Sequence, residues 1–175
     1  MVSPPKVAGM RDGTPVEKGV AMTETFLEEN FELLCQYADL WIAYPDLFID
    51  TITPPESNFR LYFYQRIFMR VAMRFRYSFS TFTRAFSKSF LSILTMYLRC
   101  IFLPRSKVFI CADVLRQAVK IAKEKLTEIW YFFPLLEKEL VSKNMSTDYV
   151  TLTFYNGSVL DVVGVATSSR GGRRH

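Results

Sequence analysis

Apolar residues Leu27, Phe31, Leu34, Ala38 and Trp41 recur at helical spacing. The helix they predict opens at Thr25-x-x-Glu28, a capping box whose two side chains satisfy backbone N–H groups of the first turn. Pro45 ends it, and Pro45 to Ser57, with Pro54-Pro55, reads as a linker or irregular crossing. Asn58 to Arg76 is a second helical stretch, basic and aromatic. Tyr77 to Thr83 (YSFSTFT) has the alternation and composition of a strand. A short polar loop then leads into a helix from about Lys88 to Phe102, stopped by Pro104. Ser106 to Ala112 (SKVFICA) is a continuous apolar run, as in a strand buried on both faces. Asp113 fits the N-cap of the next helix, whose Leu115, Ala118, Val119, Ala122, Leu126 and Ile129 share one face. Tyr149 to Tyr155 alternates again, Asn156-Gly157 is a two-residue hairpin turn, and Val159 to Ala166 is strand-like. Strand, loop, helix, strand, helix and hairpin in this order predict an α/β fold with a mostly parallel sheet.

Charge adds a direction to this outline. Met1 to Phe59 holds ten acidic and three basic residues, whereas Arg60 to Lys107 holds ten basic residues and no acidic one. A 48-residue stretch without a carboxylate attracts polyanions, whether nucleotide phosphates, nucleic acid or anionic lipid, unless it is only a solvated basic face. Arg66, Arg70 and Arg74 form one stripe on the second helix, which reads either as a DNA-backbone contact or as a solvated face. Arg170, Arg173 and Arg174 in the small, polar, basic tail are equally ambiguous. Half the residues are hydrophobic and 15% aromatic, which argues against disorder. Met1 to Met22, rich in Gly, Pro and charge, is the exception and predicts a flexible arm.

Several chemistries drop out. Cys35, Cys100 and Cys111 are odd in number and widely spaced, which fits a reducing compartment and buried small hydrophobes rather than disulfides or structural zinc. The single histidine, His175, leaves most metal, Ser-His and Cys-His arrangements without a partner. No signal peptide is legible at the start. Phe90 to Leu103 is too short to cross a bilayer and contains Arg99, so no membrane partner is expected.

The segment Thr83 to Ser89 (TRAFSKS) carries the remaining chemistry. A phosphate-binding loop aims backbone N–H groups and a helix N-terminus at phosphates, with a lysine reaching the β and γ positions and the next hydroxyl holding magnesium. Lys88-Ser89 stands where such a pair belongs, after an apolar segment and at the start of an apolar helix. Both glycines of the GxxxxGK[ST] pattern are absent, their places taken by Phe82 and Ser87.

In these features the chain resembles the large subunits of bacteriophage terminases, whose phosphate loop often lacks the first glycine and carries an arginine four residues before the lysine, as Arg84 does here. Tyr64-Gln65-Arg66 resembles that family's upstream adenine-reading glutamine motif. Leu103-Pro104-Arg105-Ser106, Val108 to Ala112, Gln117, Glu124-Lys125-Leu126, Asn156-Gly157-Ser158 and Ser169-Arg170-Gly171 follow in the family's order. The resemblance spans roughly Phe59 to His175.

It implies a P-loop NTPase (ASCE/RecA-like) three-layer core with a helical extension before it. Residues 1–22 would be the arm, 23–57 the helical extension and linker, and 58–175 the N-terminal part of the ATPase domain. ATP and Mg2+ would be the cofactors, held along Thr83, Arg84, Ala85, Phe86, Ser87, Lys88 and Ser89. Gln65 would read the adenine edge, and Tyr64 would lie near the base or in the core. Lys88 would neutralise the β and γ phosphates, Ser89 would hold magnesium, and Arg84 would stabilise charge on the γ phosphate or make a plain phosphate or DNA contact. Ser87, where the family has glycine, would cost about 1 kcal/mol if its φ is positive. The acidic pair that orients magnesium and water, and a nuclease domain, would lie beyond His175, so this chain alone would lack the catalytic acid; Asp113, closing VFICAD, is the alternative acid. The implied protein is a DNA-packaging ATPase and endonuclease. It would work as a homo-oligomer with duplex viral DNA, a portal protein and a small terminase subunit, in the host cytoplasm and transiently at the procapsid. A helicase-type motor, or a non-catalytic protein binding nucleic acid or membrane surface, is the alternative.

Overall fold

The computed structural model describes residues 31–84, 86–112 and 114–164. Contacts divide the chain into two units, Met1–Leu40 and Trp41–His175. The predicted arm, the Thr25-x-x-Glu28 cap, Ala85, Asp113, Ser169-Arg170-Gly171 and the basic tail lie outside the described residues. Helix α1 covers Phe31–Ala43, on the predicted register. Within it Phe31 and Ala38 are exposed, so two positions of the expected apolar face are not buried.

Pro45 does not open a linker. It is the first residue of a new helix, α2 (Pro45–Ile52). Proline lacks only an N–H that the first turn leaves unbonded anyway, and its fixed φ suits that position. The expectation of an irregular crossing therefore fails over its first half. Helix α3 covers Phe63–Arg74, a shorter element than Asn58 to Arg76. It opens with the side-chain oxygen of Gln65 accepting the Tyr62 backbone N–H at 2.9 Å.

The α2–α3 contact is electrostatic at its centre. Asp46, buried in the first turn of α2, accepts hydrogen bonds from Arg70 Nε and Nη2, both at 2.7 Å, and from Arg66 Nη1 at 3.2 Å. Arg66 also reaches both oxygens of Asp50, and Arg70 lies 4.8 Å from the centre of the Tyr44 ring. Two members of the predicted arginine stripe are thus not simply a solvated face. They neutralise acids contributed by the preceding helix, which a charge count confined to residues 60–107 does not weigh.

Helix α4 (Lys88–Phe102) has the predicted bounds and buries Leu91, Leu94 and Leu98, and helix α5 (Leu115–Phe132) matches its predicted face, with Ala118, Val119, Ala122, Leu126 and Ile129 buried. Strand β1 (Lys107–Ala112) separates them, and a short helix α6 (Pro134–Glu137) follows α5. Strands β2 (Leu140–Met145), β3 (Val150–Phe154) and β4 (Val159–Gly164) complete a four-stranded sheet of order β1-β4-β3-β2. Among the described strands only β1 and β4 run parallel; β4–β3 and β3–β2 are antiparallel.

The fold is α/β, but three features of the expectation change. The sheet is mixed rather than mostly parallel, because the Asn156-Gly157 hairpin returns β4 against β3 and β2 extends the same antiparallel ladder. Among the described residues the helices cover one face, where Leu152, Leu160 and Val162 are buried, while Phe109 on the other is half exposed, so these residues form two layers instead of three. As the terminal strand, β1 alternates between exposed and half-buried positions instead of being buried on both faces. Tyr77 to Thr83 forms no strand. Tyr77 and Phe79 are 83% and 92% exposed, and strand composition forms a ladder only when a neighbouring strand supplies the bonds.

The hairpin is anchored by its turn. Gly157 takes φ of 80° but Asn156 does not share a positive φ, so the expected two-residue turn is replaced by a three-residue loop, Tyr155-Asn156-Gly157, closed by the Gly157 N–H donating to the Phe154 carbonyl at 3.0 Å. Asn156 Nδ2 donates to the carbonyls of Cys100 and Ile101 at 2.7 and 2.8 Å, satisfying two of the orphan acceptors at the end of α4. Ser158 Oγ donates to Leu103 O at 2.8 Å and accepts the Ser106 N–H at 3.1 Å. Asn-Gly-Ser is therefore the clamp that sets the end of α4, the start of β1 and the start of β4 in register.

Candidate functional site

Helix α4 begins at Lys88, and the residue before it decides the shape of the loop. Ser87 has φ of 51° and ψ of 27°, a left-handed conformation that is rare outside glycine, asparagine and aspartate. This is the position at which the sequence lacks a glycine. The backbone takes the glycine-like conformation regardless, at a cost of roughly 1–2 kcal/mol for an L-residue. Ser87→Gly removes that cost, and part of the gain is returned as greater freedom of the unfolded chain. The variant is expected to raise stability by up to about 1 kcal/mol in thermal or urea unfolding; a loss would show that the serine side chain contributes more than its backbone costs.

The loop opens onto two clefts. The smaller, about 230 Å3, is lined by Thr83, Phe86, Ser87, Lys88, Ser89 and Phe90 from the loop and helix start, and by Lys125 and Glu128 from α5. The larger, about 540 Å3, shares Lys88 and Ser89 and runs past Ile110, Cys111 and Ala112 at the carboxyl end of β1 to Ala118 and Ala122 of α5. Lys88 and Ser89 thus sit at the N-terminus of a 15-residue helix, outside the carboxyl end of a parallel strand. In open α/β sheets ligands bind in that location, and helix N-termini favour anions.

The predicted site residues separate into groups. Thr83, Phe86, Ser87, Lys88 and Ser89 are brought together around the smaller cleft. Arg84 is exposed in the loop and does not line either cleft. Tyr64 stands beside the loop, its ring 4.7 Å from that of Phe86 and stacked on Tyr62 at 5.9 Å. This places an aromatic row next to the candidate phosphate site, a suitable wall for a planar base. Gln65 lies one residue away in sequence, but its side-chain oxygen is committed to the first turn of α3 and it is buried.

The sequence did not single out Lys125 and Glu128 as site residues. They lie on α5, and Lys125 Nζ sits 2.8 Å from Glu128 and 3.1 Å from Glu124. Spacing alone reads such pairs as ordinary helix-surface ion pairs. Only the packing of α5 against α4 brings them to the cleft. The hydrogen bond from Lys125 to Glu128 raises the pKa of the ammonium, despite some opposition from burial, so it stays charged.

The donor set fits an anionic, phosphate-bearing ligand: a left-handed turn, a helix N-terminus, two lysines and two serines. For a divalent cation it offers the Ser89 hydroxyl and one carboxylate, Glu128. Among the described residues no cluster of three or more His, Cys, Asp or Glu side chains is placed to hold a metal. Among the same residues no helix is long and apolar enough to cross a membrane. No protein-family model matches the chain. No curated protein matches it either.

Proposed function

We propose that this chain carries the nucleotide-binding part of a P-loop ATPase, of the type that drives DNA packaging in the large subunit of a phage terminase. The left-handed turn at Ser87 carries the reading, because it stands immediately before Lys88-Ser89 at the start of α4 and gives a serine the conformation a phosphate loop asks of glycine. In this reading the backbone N–H groups of the first turn of α4 receive the phosphates, Lys88 neutralises their charge, and the Ser89 hydroxyl is the ligand this chain offers to magnesium. Bound magnesium supplies charge neutralisation between the terminal phosphates. Tyr64 and Phe86 flank the base. Arg84, exposed beside the cleft, is available to a γ phosphate that extends out of it. Duplex DNA, a portal, a small subunit and further copies of the motor belong to the same proposal, as does a place at the procapsid.

The test is a titration of the whole chain with a fluorescent ATP analogue in the presence of magnesium. Lys88→Ala removes a charge-assisted contact and is expected to weaken binding about 10- to 100-fold. Arg76→Ala, on the same basic stretch but away from both clefts, is the control and leaves affinity unchanged. Arg70 is unsuitable as a control because it holds Asp46. Equal losses from Lys88→Ala and Arg76→Ala would favour a non-catalytic basic surface instead, and no nucleotide binding at all would remove the ATPase reading.

A further inference from the structure

Among the described residues, Lys125 is the one lysine besides Lys88 that lines the smaller cleft, and it is held there by two carboxylates. Its side chain is 26% exposed, against 64% for Glu124 and 39% for Glu128. An ordinary helix-surface pair leaves both side chains largely in water; here the lysine side chain is the more covered partner and lines a cleft whose far wall is a helix N-terminus. Lys120, one turn or so earlier on α5, is exposed and lines neither cleft.

Resting on the nucleotide reading of this cleft, we propose that Lys125 is a second phosphate-contacting cation, stored on Glu128 in the empty site and transferred to the nucleotide's phosphates on binding. The physics is a competition for one ammonium. A polyphosphate offers more charge and more acceptor oxygens than a carboxylate, and within a partly covered cleft each charge-assisted bond is stronger than at the open surface. Glu128 then has two effects. It keeps Lys125 aimed at the cleft, and it weakens binding, because its bond to Lys125 must break and its own charge repels the phosphates. Glu128 thereby sets the affinity of the site without touching the ligand.

The experiment titrates the whole chain without magnesium, so that Glu128 cannot act through a bound cation, using a fluorescent ATP analogue and separately inorganic tripolyphosphate. Lys125→Ala is expected to weaken both ligands about 10-fold or more, and Lys120→Ala neither. Glu128→Gln, which keeps the shape but removes the competing charge, is expected to tighten both several-fold. If Lys88→Ala weakens binding while Lys125→Ala behaves like Lys120→Ala, the role of Lys125 is overturned and the nucleotide reading stands. If the unsubstituted chain binds neither ligand, both fall together. Should Lys125→Ala fail to fold, Glu128→Gln decides alone, and unchanged or weaker binding in that variant overturns the proposal.

Discussion

Tyr97→Ala is expected to destabilise the chain by about 3–5 kcal/mol, the range for emptying a fully buried aromatic site. Tyr97 sits on α4 at 0% exposure, with its ring 4.9 Å from that of Phe154 on β3 in an edge-on arrangement. It therefore joins the helix that begins at Lys88 to the antiparallel part of the sheet. Its hydroxyl donates to the Leu136 carbonyl at 2.8 Å and accepts the indole N–H of Trp130 at 3.2 Å. Burial raises the pKa of this phenol well above its usual range, so it remains a donor at all ordinary pH. Tyr97→Phe separates the two contributions. It keeps the ring but strands a buried carbonyl and an indole N–H, which costs about 1–3 kcal/mol. Urea unfolding of both variants measures the difference. Equal losses would mean that the hydrogen bonds, rather than the packing, hold α4 to α5 and α6.

Asp46→Ala is the second large effect, about 3 kcal/mol, because it leaves Arg70 and Arg66 without their shared buried acceptor. The lower end of the range for broken buried pairs applies, since the two arginine side chains are 43% and 26% exposed and water recovers part of the loss. The same carboxylate gives the fold a pH dependence of known sign. Burial alone would raise its pKa; the hydrogen bonds from Arg70 and then Arg66 outweigh that and hold it below the ordinary value of 3.8. A carboxyl whose pKa is lowered by folding stabilises fully above its unfolded value, and that contribution is lost as pH falls through the lower folded value. The unsubstituted chain is therefore expected to lose stability below about pH 4, and Asp46→Asn to show a flatter profile there. Identical acid limbs in the two proteins would sink this assignment. Because α3 also carries Tyr64 beside Phe86, the same variant tests whether the ion cluster supports the aromatic wall of the cleft.

Local patterns determined a good part of this protein. The extent of α4 and the buried face of α5 were legible, because a helix stops before a proline and a repeat near 3.6 residues has one stable solution when a core is available. The hairpin's place follows from Asn156-Gly157, because Gly157 supplies the left-handed residue that ends its loop, although the loop takes three residues, starting at Tyr155, rather than two. The cluster of Thr83, Phe86, Ser87, Lys88 and Ser89 was legible because neighbours in sequence at a helix start are neighbours in space.

Other features needed the tertiary structure, and each depends on a partner distant along the chain. YSFSTFT has strand composition, but a strand is a relation between two segments, and no described segment pairs with it. LVSKNM lacks alternation, yet β2 forms because β3 offers it an edge. The basic stripe looked free until Asp46 and Asp50 were placed against it. Pro45 marked a boundary in the sequence, and the ions α2 presents to α3 show what that boundary organises. Lys125 and Glu128 became site residues only when α5 packed on α4, since charge spacing within one helix cannot say what stands opposite it. The sequence specified the periodic elements and the turn that closes the hairpin; the packing of those elements decided which charges are spent on the fold and which are left facing the cleft.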